Sequence, residues 1–278
     1  MPELPELQAH AERLDATFGG RTVAGFRPIT FTALKTFSPD PSDAVGASFG
    51  PVGRRGKHLL LGAGPVTFVV HLMQGGRLVP DEKQSAKPRN GIARWTFDDG
   101  SALLLTEPGT ERKAGVWVVA GDPLGQAPLL GLGPDADELD VDGWAAVLAG
   151  RTGRLHGVLR DQEAVAGIGR RLANEICHRA KLSPFASAAK LDGAQVEALA
   201  AAAEACIAES LAEERERDHL ARSAERTSAV HNHVGDPCPV CGDAVRSVEY
   251  RAYTVAYCPT CQTGGKVLAD NTTSRFLK

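Results

Sequence analysis

Apolar positions along the chain fall into three successive regimes. At the start, Leu7, Ala11, Leu14 and Phe18 recur at intervals of four, three and four, which predicts a helix over residues 3–18 that Gly19–Gly20 ends. From about Thr22 to Val119 the pattern shortens to β-like runs, His58–Leu61, Val66–His71, Ala93–Phe97, Ala102–Leu105 and Val116–Val119. Gly, Pro and Asp-Gly turns separate them, Asp99–Gly100 among these, and such spacing predicts an all-β sandwich or barrel. Gly121–Asp140 is rich in Gly, Pro and Asp and reads as a hinge. Beyond it the period is helical again, over Asp142–Ala149, Arg154–Asp161, Arg170–Lys181 and Gly193–Glu214. Asp218–Asp236 is polar and weakly patterned, and a cysteine cluster follows. The expected fold class is α+β: an N-terminal helix plus a β-sandwich domain over 1–122, a hinge over 123–140, a helical domain over 141–225, and a cysteine finger with its tail over 226–278.

Composition narrows the class. The chain has 278 residues, 43% hydrophobic and 23% charged, enough apolar material for a real core. No apolar run reaches the roughly 18 residues of a membrane span, and no secretory signal is read at the start. The expectation is a cytoplasmic, bacterial-type, nucleoid-associated protein with no membrane partner, monomeric by default. A net charge of −3 argues against a uniformly basic nucleic-acid binder. The charge is uneven, however: Arg151–Lys181 holds seven Arg or Lys against three Asp or Glu, while acidic residues concentrate in Pro134–Asp142 and Glu204–Glu216. A basic patch on a mildly acidic body fits these numbers.

Cys238-Pro-Val-Cys241 and Cys258-Pro-Thr-Cys261, with 16 residues between the pairs, have the spacing of a tetrahedral zinc site built from four thiolates. The expected cofactor is one structural Zn2+. His231 and His233 lie nearby but are not needed to complete the shell. Arg246, Tyr250, Arg251, Tyr253 and Tyr257 interleave on the intervening hairpin, a pattern that serves phosphate and base contacts and an ordinary exposed hairpin equally well. Cys177 and Cys206 sit in helical pattern and read as buried thiols.

The chain opens Met1-Pro2-Glu3-Leu4-Pro5-Glu6. A small second residue permits removal of Met1, which leaves Pro2 as a free secondary amine. An α-amino group titrates near 7.7–8.0, so part of it is neutral and nucleophilic around neutrality. Attack on a sugar C1′ would expel the base and leave a Schiff base, with Glu3 the nearest acid/base. The same residues read just as well as an ordinary helix start, with Pro at the first positions and Glu in the first turn.

Four segments, in order, resemble the formamidopyrimidine-DNA glycosylase/endonuclease VIII family. They are the Met1–Glu6 start, Arg54-Arg55-Gly56-Lys57 before His58-Leu59-Leu60-Leu61, Asp161–Gly169 leading into a helix, and the cysteine hairpin ending Tyr257-Cys258-Pro259-Thr260-Cys261-Gln262. The resemblance spans nearly the whole chain. It implies a helix–two-turn–helix motif in the helical domain and a base-excision-repair DNA glycosylase with abasic-site (β-elimination) lyase activity, acting on damaged DNA flipped out of the stack. Pro2 would be the nucleophile, Glu3 the acid/base with Glu6 in support, and Lys57 the phosphate-holding lysine. DNA contacts would come from His71, Gln74, Arg112, Arg170, Arg251 and Tyr253, and from the Gly167–Gly169 turn.

The departures from the family cluster at the end that reads the lesion. Arg170 stands where members commonly carry Asn. In His71-Leu72-Met73-Gln74-Gly75-Gly76, Gln74 takes the place of a gap-filling Met and Met73 lies one position earlier, which in a strand turns a side chain to the other face. Glu107–Gly115 replaces Asp-Pro-Arg-Arg-Phe-Gly, is three residues longer and has no aromatic wedge. Tyr253 stands where an arginine is common, and the loop covering oxidised purines is missing before Cys238. The expected substrate is therefore not 8-oxoguanine in ordinary duplex, an expectation that strong excision from such a duplex would sink. The alternatives are a glycosylase for bulky or interstrand-crosslinked alkylated bases and, in another class, a non-catalytic damaged-DNA-binding paralogue.

Overall fold

The computed structural model describes residues 1–109, 112–222, 225–250 and 253–268. The first helix, α1 (Leu4–Phe18), buries Leu7, Ala11, Leu14 and Phe18, the stripe that defined it in the sequence. It ends at Gly19, whose N–H bonds the Asp15 carbonyl at 2.8 Å. A Cβ on Gly19 would lie 2.4 Å from that same oxygen, so only glycine fits there. Eight strands follow: β1 (Val23–Pro28), β2 (Phe49–Arg55), β3 (His58–Ala63), β4 (Val66–His71), β5 (Arg77–Pro80), β6 (Gly91–Phe97), β7 (Ala102–Thr106) and β8 (Gly115–Ala120). They form two four-stranded antiparallel sheets, ordered β1-β6-β7-β5 and β2-β3-β4-β8.

The inner faces of both sheets and the apolar face of α1 share one core. Leu59 and Leu61 from β3, Phe68 and Val70 from β4, and Val116 and Val118 from β8 meet Trp95, Phe97, Leu103 and Leu105 from the other sheet. Phe26, Phe68 and Trp95 form an aromatic triad with centroids 5.0–5.6 Å apart. The expected β-sandwich is therefore present. Strands β1, β2 and β5 had no clear run in the sequence because Gly and Pro interrupt them, and their identity comes from pairing with better-patterned neighbours.

The helical part contains α2 (Val141–Leu148), α3 (Leu155–Arg160), α4 (Arg170–Arg179) and α5 (Gly193–Arg215). Two turns separate α3 from α4 over residues 161–169, where Ala164 and Val165 N–H both bond the Asp161 carbonyl at 2.9 Å. Next come the hairpin β9 (Arg246–Tyr250) and β10 (Tyr253–Tyr257), then a short helix α6 (Pro259–Thr263). The α+β class, the N-terminal sandwich and the helical domain with its helix–two-turn–helix motif are as expected. The chain divides into two compact units, Met1–Gly131 with Glu213–Ser223, and Leu132–Ala212 with Ala224–Lys278. The span 141–225, read from sequence as one helical body, is thus divided. Arg13 holds the Glu214 carbonyl at 2.8 Å, Arg215 pairs with Glu12 at 2.7 Å, and Leu220 enters the sandwich core, so this segment belongs with the first unit. No helix among the described residues is long and apolar enough to cross a membrane.

Candidate active site and metal centre

In the first unit the amino end of the chain is held tightly. Pro2 is buried, Glu3 is the N-cap of α1, and Glu6 accepts the Glu3 N–H at 2.6 Å as one arm of a capping box. Glu6 is fully buried and Glu3 almost so. Glu3 at the N-cap and Glu6 in the first turn thus both stand at the amino-terminal end of α1. Met1 lies outside this cap and is exposed.

The β2–β3 hairpin turns on Gly56–Lys57, with Arg55 paired to His58 across the turn and Gly56 in the left-handed region (φ 54°). His58 faces His71 across the β3–β4 ladder, their rings 4.7 Å apart. Burial pushes His58 down to about 3, aided by the neighbouring His71. Burial likewise pushes His71 down to about 4, and the positive charges of Lys57 and the chain's amino terminus add to the effect. The Met73 N–H donates to His71 Nδ1 at 3.1 Å, so the neutral ring carries its proton on Nε2 as a donor. Lys57, His71 and the amino terminus are thus electrostatic neighbours.

A cavity of about 460 Å³ takes in the amino end of the chain, lined by Met1, Met73, Gln74, Glu107, Pro108 and Arg112, among others. Two of the sequence-predicted residues, Gln74 and Arg112, therefore meet the amino end of the chain. Met73 has a left-handed backbone (φ 53°) and packs against the sandwich core, while Gln74 is exposed in the cavity wall. The turn that carries them is tightly closed. Gly76 N–H bonds the Leu72 carbonyl at 2.8 Å, a Cβ on Gly76 would sit 2.1 Å from that oxygen, and Arg77 donates to the Gly76 carbonyl at 2.7 Å.

In the second unit, Gln162 fastens the two turns before α4, accepting Gly167 N–H at 3.1 Å and donating to the Arg160 and Ile168 carbonyls at 2.9 Å each. Gly169 caps α4 without a side-chain bond, and Arg170 is exposed beside it at the helix start. Such an end suits an anion. The sequence reading missed the buried polar face of α4 (Arg171, Asn174, Glu175 and His178), whose i, i+3, i+4, i+7 spacing was its one available signal. Glu175 accepts the N–H groups of Ala229, Val230 and His231 at 2.6, 3.1 and 2.9 Å. Asn174 meets the His231 ring at 2.9 Å. His231 is thus engaged with α4, and His233 pairs with Asp236 at 3.0 Å.

The Cys238, Cys241, Cys258 and Cys261 sulfurs all lie within 4.8 Å of one another, Cys238 to Cys261 at 3.9 Å and Cys241 to Cys258 at 3.3 Å. Zinc–thiolate bonds of about 2.3 Å put tetrahedral sulfurs roughly 3.8 Å apart, so the cluster fits a zinc ion. His178 Nε2 lies 3.2 Å from Cys238 Sγ, and Gln262 accepts the Cys258 N–H at 2.8 Å while donating to the Leu182 carbonyl at 2.9 Å. Such outer contacts orient thiolates and tie the finger to the helices. Tyr253 is stacked between Tyr250 (4.8 Å) and His156 (6.0 Å), with the Arg160 guanidinium 4.0 Å from its ring centre. Arg251 and residues 269–278 of the tail lie outside the described residues. Cys177 and Cys206 are buried, as expected.

Comparison with known proteins gives one answer across the chain. Residues 1–117 match the formamidopyrimidine-DNA glycosylase N-terminal domain and residues 130–219 the formamidopyrimidine-DNA glycosylase H2TH domain. A formamidopyrimidine-DNA glycosylase of Symbiobacterium thermophilum is 32% identical over 94% of this chain and 89% of its own length. An uncharacterized formamidopyrimidine-DNA glycosylase-like protein of Mycobacterium tuberculosis is 45% identical over its full length, which covers 58% of this chain. Among solved structures, the MutM (Fpg) protein of Thermus thermophilus superposes with a TM-score of 0.81 at 27% identity, covering 96% of this chain and all of that one. A Lactococcus lactis Fpg bound to DNA with an abasic site shares the fold, with a TM-score of 0.82 at 18% identity over 94% of this chain and 99% of its own.

Proposed function

The chain belongs to the formamidopyrimidine-DNA glycosylase family and is a DNA-repair glycosylase, and from that premise we infer that it removes a damaged base by attack of the Pro2 amine and then cleaves the abasic strand by β-elimination. Support comes from one observation above all: the amino end of the chain lines a cavity and, like Lys57, is an electrostatic neighbour of His71, while a buried capping box fixes its backbone.

Once Met1 is removed, the neutral Pro2 nitrogen attacks C1′. The N–C1′ bond forms as the bond from C1′ to the base breaks, and the electron pair leaves with the base. The new ammonium passes its proton to Glu3, its lone pair opens the C1′–O4′ bond, and Glu3 returns the proton to O4′, which leaves an iminium. Water then takes a C2′ proton, the freed electron pair forms the C2′–C3′ double bond as the C3′–O bond breaks and the 3′ phosphate leaves, and a second water hydrolyses the iminium to release the sugar from Pro2. Glu6 acts through Glu3, by holding its N–H. Lys57 and the neutral His71, a donor at Nε2, hold backbone phosphates, and Arg170 at the amino-terminal end of α4 takes another. Arg112 and Gln74 contact the duplex at the gap that the flipped base leaves. The four cysteines hold a zinc ion that organises the finger and takes no part in the reaction.

The lesion is read as something other than 8-oxoguanine in duplex, because the Glu107–Gly115 loop has no aromatic wedge and no covering loop precedes Cys238. The decisive experiment is borohydride trapping on abasic DNA, with mass spectrometry of the adduct. The reading expects a covalent adduct on the N-terminal peptide that Pro2→Gly abolishes or strongly reduces. No adduct with the unmodified protein would overturn it in favour of a damage-binding paralogue.

A further inference from the structure

The arginines of the basic stretch 151–181 are put to unequal use. Arg151 pairs with Asp161 at 3.3 Å and Arg179 with Glu209 at 2.6 Å, while Arg154 donates to the Phe185 carbonyl at 2.7 Å and Arg171 to the Ser210 hydroxyl at 3.1 Å. The guanidinium groups of Arg160 and Arg170 make no hydrogen bond or ion pair among the described residues. These two flank the pair of turns over 161–169, Arg160 as the last residue of α3 and Arg170 as the first of α4. The mechanism above uses Arg170 and leaves Arg160 idle. Arg160 is nevertheless half-buried and held in place: its carbonyl accepts the Gln162 amide at 2.9 Å, and its guanidinium lies 4.0 Å from the centre of the Tyr253 ring. Tyr253 in turn stacks on Tyr250, its partner across the β9–β10 hairpin, at 4.8 Å and 15°, and on His156 of α3 at 6.0 Å and 16°. The sequence places Tyr253 among the DNA contacts, at a position where an arginine is common. Its ring is taken up by Tyr250, His156 and Arg160, which leaves no room to stack a base; what it supplies is a platform for a cation. A guanidinium stacked on an aromatic face keeps its N–H edge to give, in the fork that matches two phosphate oxygens.

We propose that Arg160 is a further DNA-binding residue, whose guanidinium clamps one backbone phosphate, and that Tyr253 is its positioning residue. The cation that the finger lacks at position 253 is thus delivered from α3, with the hairpin tyrosine behind it. The ligand is an anion because Arg160 offers donors only, and the carboxylate next to it in the chain, Asp161, is engaged with Arg151. Held on the ring, the side chain has less freedom left to lose when the phosphate arrives. A phosphate contact carries no base identity, so Arg160 strengthens binding to every duplex alike. The proposal rests on the reading that the chain binds damaged DNA through the turns that Arg160 and Arg170 flank.

The test measures Kd of the full-length, zinc-loaded protein by fluorescence anisotropy, for an undamaged duplex and one carrying a reduced abasic site, across a series of salt concentrations. Each phosphate contact contributes about 0.9 to the slope of log K against log salt. Arg160→Gln is expected to lower the slope by about that amount on both duplexes and to weaken each about tenfold. Arg160→Lys keeps the charge without the fork and should keep the slope while recovering part of the affinity. Tyr253→Phe keeps the ring and should bind as the unmodified protein does. Tyr253→Leu should weaken binding about threefold, with no further loss once Arg160 is already Gln. Bound zinc and borohydride trapping on abasic DNA at saturating protein, measured in parallel, show that each variant is folded. A slope unmoved by Arg160→Gln, or a Tyr253→Leu loss that adds in full to that of Arg160→Gln, overturns the assignment and leaves the stack as packing of the hairpin on α3. Failure of the unmodified protein to bind either duplex overturns the DNA-binding reading as well.

Discussion

Replacing Glu175 by alanine removes the acceptor of three backbone N–H groups at once, those of Ala229, Val230 and His231. Hydrogen bonds to a charged acceptor contribute about 1.5–3 kcal/mol each, but the loss depends on what replaces the acceptor. Val230 is fully buried, and its orphaned N–H should cost the full desolvation penalty, about 2–3 kcal/mol. Ala229 and His231 are half-buried, so water can take over part of their bonding, and about 1 kcal/mol is assigned to each. The sum is about 4 kcal/mol. At roughly 3 °C per kcal/mol for a domain of this size, the melting transition of the helical unit should fall by about 12 °C. The assay is differential scanning calorimetry of the full-length protein, with the exposed Glu163→Ala as a control that should move little. A loss below about 1 kcal/mol in Glu175→Ala would mean that solvent satisfies all three donors, and the claim that Glu175 organises the 229–231 segment would be wrong.

Three further outcomes are expected. Both ring nitrogens of His10 are buried without a hydrogen-bond partner, and burial, with Arg13 and Arg77 nearby, pushes it down to about 3. Its unfolded counterpart titrates near 6.5, so the fold is fully stable above that pH and loses stability as pH falls from 6.5 toward 3; His10→Phe should be near neutral at pH 7 and flatten this acid loss in urea melts at pH 7 and 5, and an unchanged slope would refute the account. Asp81→Ala leaves the Arg94 guanidinium buried without its 2.7 Å partner and should cost the sandwich unit about 3 kcal/mol in denaturant titrations, whereas an exposed pair would cost under 1. Cys258→Ser should drop bound zinc well below stoichiometric by atomic absorption and weaken DNA binding, while Cys177→Ser should leave the zinc content unchanged because the buried Cys177 thiol is no ligand.

The sequence by itself determined the parts whose signal is local. The 4-3-4 spacing in α1, five of the eight sandwich strands, the four main helices and the C-x2-C pairs each follow from neighbours a few residues apart, and the structure shows them where the pattern put them. It also marked Gln74 and the Glu107–Gly115 loop as departures, and Gln74 and Arg112 of that loop share a cavity wall at the amino end of the chain. Only tertiary structure decided what depends on partners distant in the chain. β1, β2 and β5 are strands because patterned neighbours pair with them, and 213–222 joins the sandwich because Arg13, Glu12 and the core receive it. Met73 and Gln74 are adjacent and equally plausible as cavity residues; a left-handed Met73 turns one onto the core and leaves the other in the wall. Glu107 read as the first residue of an irregular loop, and Glu175 as a charge in a helix. Each is a buried carboxylate whose role is set by backbone N–H groups that no sequence pattern brings together, because a hydrogen bond depends on position in space and the pattern records only position along the chain.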